Sequence, residues 1–226
     1  LSGWRRGIKM KREQVLDAAR AYFRANMNPK PFVAGETYIP PSGKVMDEDD
    51  LASLVDSSLD MWLTAGRFAR DFEAEIPKWM NRTPSALMVN SGSSANLVAV
   101  SALTAPMMET MKKNRLKPGD EVITVAAGFP TTVNPIVQNG LRPVFVDVDL
   151  ATTDVTLEMI QSAFVKGKSK AVMVAHTLGN PFRADLIAEW CAKEGLYLIE
   201  DCCDALGAQI GDAPAGSFGD YSTLSF

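Results

Sequence analysis

From residue 86 onward, short apolar runs alternate with segments in which apolar residues recur at helical spacing. Apolar runs of this kind are typical of strands buried on both faces of a sheet, and their alternation with helices is typical of a parallel sheet. We therefore predict an α/β fold: a mainly parallel sheet with helices on both faces. The predicted strands are 86–89, 121–125, 143–147, 171–175, 196–200 and 222–226.

The same spacing predicts helices between these strands and before them. The first two helices are separated by the stretch 28–44, which its prolines keep out of a helix. We predict two parts: N-terminal helices and an irregular arm over 1–60, and a large domain over 61–226. The predicted helices are 11–27, 48–62, 68–80, 94–113, 130–138, 156–165 and 183–194.

The composition of the chain restricts the classes of partner that we expect it to bind. The net charge is −4 and the basic clusters at 5–11 and 112–117 are short, which argues against nucleic acid. No apolar run approaches the roughly 20 residues that span a membrane, so we predict no membrane association. Cys191, Cys202 and Cys203 do not form a disulfide framework, which favours the cytoplasm. The chain lacks an initial Met and stops inside a predicted strand, so both ends are expected to be cuts.

Ligands of such sheets bind at the carboxyl ends of the strands. After the run 86–89, Ser91, Gly92, Ser93 and Ser94 begin a helix whose free N–H groups favour an anion such as phosphate; a plain serine cap is the alternative. After the run 121–125, Phe129 is placed either to stack on a planar ring or to lie in the core.

The later strand ends carry further polar residues. Asp201 follows the run 196–200, where a buried carboxylate needs a donor or cation such as a pyridinium nitrogen; capping the following turn is the alternative. Ser225 lies in the run 222–226, within reach of a phosphate. His176 follows the run 171–175, and two readings stay open: a site residue, or a satisfied buried side chain.

Taken together, these segments resemble one family over about residues 45–226. The motifs are VNSGSSANL (89–97), FPTTVN (129–134), RPVFVDVD (142–149), LIEDCCDALGA (198–208) and SFGDYSTLSF (217–226). The chain resembles the DegT-type sugar aminotransferases, which are fold-type I pyridoxal-phosphate enzymes. The resemblance implies that 61–226 is the cofactor-binding large domain, truncated at its C-terminal end, and that the cofactor is pyridoxamine or pyridoxal 5′-phosphate.

The resemblance also implies roles for single residues. Ser93 and Ser94 would hold the cofactor phosphate, with Ser225 contacting it from the other side. Phe129 would lie against the pyridine ring and Asp201 would pair with the ring nitrogen. Asp204 stands near the cofactor hydroxyl, where aminotransferases of the family usually carry Gln.

Four segments are similar to one branch, the 3-dehydrases that act on CDP-6-deoxy-4-keto-glucose for the 3,6-dideoxy sugars of the O-antigen. They are VNSGSSANL (89–97), AHTLGNPF (175–182), the run 201–204 and the front segment 36–44. In that branch a His replaces the usual catalytic Lys, the cofactor works as pyridoxamine phosphate, and the C3 hydroxyl leaves. A [2Fe–2S] cluster and a partner reductase supply electrons. Cys203 matches the first cluster ligand, with a small buried residue as the alternative, and Cys191 is expected in the core.

The deciding residue, at about position 230 by the spacing of the family, is not in this chain. A Lys there would mean transamination and a His would mean dehydration, so the runner-up is an aminotransferase of a nucleotide-linked 4-keto sugar. A third reading is a cofactor-binding protein without turnover. We expect no catalytic residue before Phe226, and a chain that alone is inactive and marginally folded with an unpaired sheet edge. The family resemblance implies a nucleotide-sugar substrate and a homodimer.

Overall fold

The computed structural model describes residues 10–27, 31–40, 43, 45–81, 85–111 and 114–226. The basic clusters at 5–11 and 112–117 and the front segment 36–44 fall partly outside these residues. Contacts between residues divide the chain into two compact units, one up to Phe72 and one from Glu73 to Phe226. The functional division between 1–60 and 61–226 stays a prediction.

The first unit is built from helices. They are α1 (Arg12–Asn26), α2 (Glu48–Leu59) and the beginning of α3 (Arg67–Trp79). Helix α2 begins at Asp47, whose carboxylate accepts hydrogen bonds from the N–H groups of Asp49 and Asp50. None of the helices in the described ranges is both long and apolar enough to cross a membrane.

The second unit is an α/β layer structure, as predicted. Its main sheet has five parallel strands in the order β2-β1-β3-β4-β7, and β5 and β6 form a small antiparallel pair. The strands are β1 (Glu121–Val125), β2 (Arg142–Val146), β3 (Ser169–Ala175), β4 (Tyr197–Asp201), β5 (Gln209–Ile210), β6 (Ala213–Pro214) and β7 (Tyr221–Thr223). The helices are α4 (Gly92–Thr104), α5 (Met107–Thr110), α6 (Pro130–Gln138), α7 (Leu157–Ala163) and α8 (Ala184–Glu194).

The central strands of the sheet are buried on both faces. Along β3, Val172 and Val174 pack in one apolar cluster with Ile187 of α8, whereas Met173 packs in a second cluster with Leu103 of α4. Successive side chains of a strand point to opposite faces, so one strand supplies both clusters. This arrangement confirms the predicted fold class, with helices covering the sheet on both sides.

The predicted strand 86–89 is wrong. The segment is irregular, and Leu87 and Met88 are largely exposed. The N–H of Met88 donates to Glu73 Oε1 at 2.7 Å, a side chain rather than a neighbouring strand. An apolar run therefore precedes α4 without joining the sheet.

Two other predicted boundaries are wrong for local reasons. The predicted helix 94–113 ends at Thr104, because Pro106 disfavours helical geometry at Ala105, which is extended. The predicted strand 222–226 ends at Thr223, which pairs with Asp201, the last residue of β4. Ser225 therefore lies two residues beyond the strand.

Candidate functional site

A cavity of about 280 Å³ opens at the carboxyl ends of β3 and β4, where α4 and α6 begin. This is the edge at which parallel sheets bind ligands. The side chains around it come from several strand ends and two helix starts. The lining residues are Ser91, Gly92, Ser93, Phe129, Thr131, Thr132, Ala175, Thr177, Asp201, Cys203, Asp204 and Ser225.

The first turn of α4 forms one wall. Ser91 caps the helix: its Oγ accepts a hydrogen bond from the N–H of Ser94 at 3.2 Å. Ser93 lines the cavity, whereas Ser94 is absent from the lining and its hydroxyl lies 3.2 Å from Ser91 Oγ. The structure thus brings Ser93 to the cavity and uses Ser94 within the cap.

Gly92 sits where no larger residue fits. A Cβ at this position would lie 2.7 Å from Cys203 Sγ and 2.8 Å from Ser225 Cβ. Real Cβ atoms essentially never lie within 3.0 Å of such a neighbour, so a side chain here would displace Cys203 and Ser225. The start of α4 therefore packs directly against two residues of the opposite wall.

Asp201 ends β4 and is buried at the base of the cavity. Its Oδ2 accepts hydrogen bonds from Asn96 Nδ2 and Thr132 Oγ1, each at 2.7 Å, and its Oδ1 accepts from the N–H of Cys203 at 3.2 Å. Thr223 Oγ1 in turn donates to Asn96 Oδ1 at 2.6 Å. Charge-assisted hydrogen bonds of this kind fix a carboxylate in one orientation.

Asn96, Thr132 and Thr223 were missed by sequence reasoning. Each is almost fully buried, and buried polar side chains need partners. A usable signal existed: Asn96 lies four residues after Gly92, about one helical turn, and Thr132 lies three residues after Phe129 at the start of α6. Polar residues at these positions contact Asp201 rather than the solvent.

Phe129 and Asp204 stand at the rim. Phe129 precedes α6 and is 69% exposed while lining the cavity, so its ring is available to a ligand rather than packed in the core. Asp204 lines the cavity in the turn that follows β4. Its backbone oxygen would lie 2.9 Å from a Cβ at Gly179, whose φ of +79° also excludes other residues.

Cys203 lies in the cavity wall as a thiol. Burial raises the pKa of Cys203 to about 12, helped by its hydrogen bond to Asp201 and by the charges of Asp201 and Asp204. Cys191 lies in the core as expected, and burial raises its pKa to about 12 as well.

His176 lies outside the cavity, although Ala175 and Thr177 on either side of it line the wall. It is fully buried, and its Nε2 lies 3.0 Å from Glu200 Oε2. Its ring stacks on Phe182 with 4.1 Å between centroids. Of the two readings that the sequence left open, the structure shows the buried side chain.

Ligand atoms of His176, Glu200 and Cys202 lie within 4.8 Å of one another, a spacing that suits a metal ion. The Glu200 oxygens, however, accept hydrogen bonds from His176 and from the N–H groups of Gly216, Phe218 and Gly219. A carboxylate has about four acceptor positions, so none is left for a cation. These three residues therefore do not form a metal site. Glu200 is instead a buried carboxylate that is held by hydrogen bonds.

Two curated proteins are similar to this chain over 95% of its length. Lipopolysaccharide biosynthesis protein RfbH of Salmonella typhimurium is 51% identical over 95% of this chain and 48% of its own length. dTDP-4-dehydro-2,6-dideoxy-D-glucose 3-dehydratase of Saccharopolyspora spinosa is 50% identical over 95% of this chain and 45% of its own. The chain therefore spans about half the length of the curated relatives it matches.

Among solved structures, the chain is similar to an E. coli GDP-4-keto-6-deoxy-D-mannose-3-dehydratase with bound hydrated PLP. The two share 34% identity with a TM-score of 0.70, over 80% of this chain and 44% of that one. Residues 44–226 match the model of the DegT/DnrJ/EryC1/StrS aminotransferase family. This chain, with its parallel sheet and its cavity at the strand ends, belongs to that family.

Proposed function

We propose that the protein containing this chain uses pyridoxamine phosphate to remove the C3 hydroxyl of a nucleotide-linked 6-deoxy-4-keto hexose. The observation that carries the proposal is the identity of about half the residues to a named sugar-nucleotide 3-dehydratase and to a lipopolysaccharide biosynthesis protein. We propose the CDP-linked sugar on the route to 3,6-dideoxy sugars of the O-antigen as substrate, which is supported by the resemblance of the segments 175–182 and 201–204.

The cavity fits the cofactor in its donor chemistry. Gly92 and Ser93 at the start of α4 line the cavity, and N–H groups at the start of a helix, which have no partner within it, favour a phosphate. Gly92 leaves space that a Cβ would fill. At the base, Asp201 is a buried carboxylate whose orientation is fixed by Asn96 and Thr132. An anion site and a carboxylate site in one cavity suit a phosphorylated pyridine.

We assign the residues as follows. Ser93 and Ser225 hold the phosphate, with Ser94 acting through the cap of α4. Phe129 lies against the ring face, and Asp204 lies near the ring hydroxyl. Asp201 holds a proton at the ring nitrogen, because a fixed carboxylate favours the charged form of its partner. When bound, the cofactor ring supplies an electron sink for the bonds that break at the sugar.

A 4-keto-sugar aminotransferase is the alternative, favoured by the activity named in the matched family. Asp204, where aminotransferases of the family usually carry Gln, favours the dehydratase. The His or Lys expected at about position 230 decides between them. The third reading, a cofactor-binding protein without turnover, has no observation in its favour.

The remaining expectations rest on the resemblance. We propose a homodimer in the cytoplasm with a partner reductase. A [2Fe–2S] cluster usually needs four thiolates, of which Cys203, a lining residue of the cavity, would supply one. We route no step through a cluster, and the ligand role of Cys203 stays a prediction.

A labelled substrate tests the function. The full-length protein is incubated with pyridoxamine phosphate and CDP-, GDP- or dTDP-linked 6-deoxy-4-keto hexose carrying ¹⁸O in the C3 hydroxyl. Dehydration releases the label into water, which mass spectrometry detects as its loss from the sugar. A parallel reaction supplies ¹⁵N-glutamate. Retention of ¹⁸O with incorporation of ¹⁵N establishes the aminotransferase instead, and binding without either change establishes the protein without turnover.

Gly92→Ala tests the cavity itself. The added Cβ collides with Cys203 and Ser225, and overpacking of this kind costs about 1–3 kcal/mol. We expect pyridoxal phosphate affinity, measured by absorbance titration, to fall about tenfold. Gly128→Ala is the matched control, because its Cβ would lie 3.6 Å from Val125, an ordinary contact. Equal affinities of the two variants would contradict the packing argument.

A further inference from the structure

Glu200 and Asp201 are neighbours at the end of β4, and their side chains point to opposite faces of the sheet. Asp201 lines the cavity, whereas Glu200 is fully buried and absent from its lining. Glu200 Oε1 accepts from the N–H groups of Phe218 and Gly219 at 2.9 and 2.5 Å, and Oε2 accepts from that of Gly216 at 2.9 Å. One carboxylate thus binds three N–H groups of a single turn.

That turn, residues 216–219, is fixed to β4 at further points. The N–H of Asp220 donates to the carbonyl of Leu198 at 2.8 Å, and the N–H of Leu198 donates to Asp220 Oδ2 at 3.0 Å. A Cβ at Gly219 would lie 2.7 Å from the same carbonyl. The turn leads directly into β7 and, two residues after β7 ends, to Ser225 in the cavity wall.

His176 completes the arrangement from β3. Its Nε2 contacts Glu200 Oε2 at 3.0 Å, and its backbone N–H donates to the carbonyl of Asp201 at 3.0 Å. Its Nδ1 has no hydrogen-bond partner among the described residues. The imidazole therefore acts on Glu200 through one nitrogen only.

We infer that His176 and Glu200 are positioning residues, which hold the turn 216–219 and thereby set the place of Ser225 at the cofactor phosphate. The inference rests on the proposed function, in which Ser225 contacts that phosphate. Neither residue touches the cavity. Their effect on cofactor binding therefore passes through β7.

Two amide substitutions distinguish the role of Nε2 of His176 from the role of Nδ1. In His176→Gln the amide nitrogen replaces Nε2, and in His176→Asn it replaces Nδ1; both lose the stacking on Phe182. We expect pyridoxal phosphate affinity of the full-length protein to fall about tenfold in His176→Asn and to stay within about twofold of wild type in His176→Gln. Equal losses in the two variants would overturn the inference.

A double-mutant cycle with Ser225→Ala tests whether His176 acts through Ser225. A general loss of stability would not produce coupling between the two substitutions in cofactor affinity. If His176 acts through Ser225, adding His176→Asn to Ser225→Ala weakens affinity by less than about twofold more. Should His176→Asn fail to fold, Asp220→Ala, at an exposed position of the same connection, takes its place in the cycle. Losses that multiply overturn this inference alone, whereas a wild-type protein that does not bind pyridoxal phosphate overturns the proposed function and this inference with it.

Discussion

Asp201→Asn is expected to lower kcat of the full-length enzyme by about 10²–10³-fold, the loss found when one preorganised electrostatic group is removed from an active site. The substitution keeps the shape of the side chain and removes its charge. An amide cannot hold a proton at the ring nitrogen, so the ring would lose its capacity as an electron sink.

The surroundings of Asp201 increase the effect. Oδ2 accepts two hydrogen bonds, from Asn96 and Thr132, and the side chain is almost fully buried at the base of the cavity. An amide nitrogen in the place of Oδ2 would face the amide nitrogen of Asn96. Both groups are donors, so no hydrogen bond would form between them. If the amide turned its oxygen to Asn96, its nitrogen would face the N–H of Cys203 instead.

The matched control is Asp204→Asn, the same change in the same cavity three residues later. Asp204 lies in the turn after β4, and we expect a loss of less than about tenfold there, because an exposed charge is screened by solvent. Both variants are compared by steady-state kinetics and by the absorbance of the bound cofactor. An Asp201→Asn enzyme that keeps a tenth of wild-type kcat, or that matches Asp204→Asn, contradicts the role given to Asp201.

Sequence reasoning located the cavity because parallel strands bring their carboxyl ends to one edge. Ser93, Phe129, Asp201 and Asp204 each follow a predicted strand or begin the next helix, Ser225 lies inside the last predicted strand, and the structure brings all five to one cavity. This holds even though the run 86–89 forms no strand, because the start of α4 depends on the cap at Ser91 rather than on the strand before it. Their roles toward a cofactor stay predictions.

The partners of these residues could not be predicted in the same way. Asn96 meets Asp201 across 105 residues of sequence, and Thr223 meets Asn96 across 127. Such pairs depend on the register in which helices pack on the sheet. Alternation along β4 indicates that Glu200 faces away from Asp201, but its partners belong to a turn 16 to 19 residues later and to His176, the residue after β3. The sequence could not decide between the two readings of His176 for the same reason.

Glu200→Gln is expected to lower the free energy of unfolding by about 2–6 kcal/mol at pH 7, because two buried donors lose their acceptor at about 1–3 kcal/mol each. Each Glu200 oxygen accepts two hydrogen bonds. An amide has one oxygen, so whichever way it turns, two donors would face its NH₂ group. Denaturant unfolding of the full-length protein measures the change.

Glu121→Gln is the matched control, since Glu121 is also buried but lies at the other end of the sheet. Its partners are the side chains of Arg142 and Ser169, which can rotate to meet an amide, whereas the N–H groups around Glu200 belong to a fixed turn. We therefore expect the smaller loss in Glu121→Gln. A Glu200→Gln variant no less stable than this control would show that the turn does not depend on the carboxylate.

The pH dependence of the unfolding free energy shows whether Glu200 stabilises the protein by its charge or by its shape. Burial raises the pKa of Glu200, but hydrogen bonds from His176, Gly219 and Gly216 outweigh it, so the pKa lies below its ordinary value of 4.5. A group with a lowered folded pKa stabilises the protein above its unfolded pKa and loses that contribution as pH falls through the folded one. The difference in unfolding free energy between wild type and Glu200→Gln is therefore expected to be complete at pH 7 and to shrink below about pH 4.5. A difference that stays constant through the acid range would mean that the carboxylate acts by its shape and not by its charge.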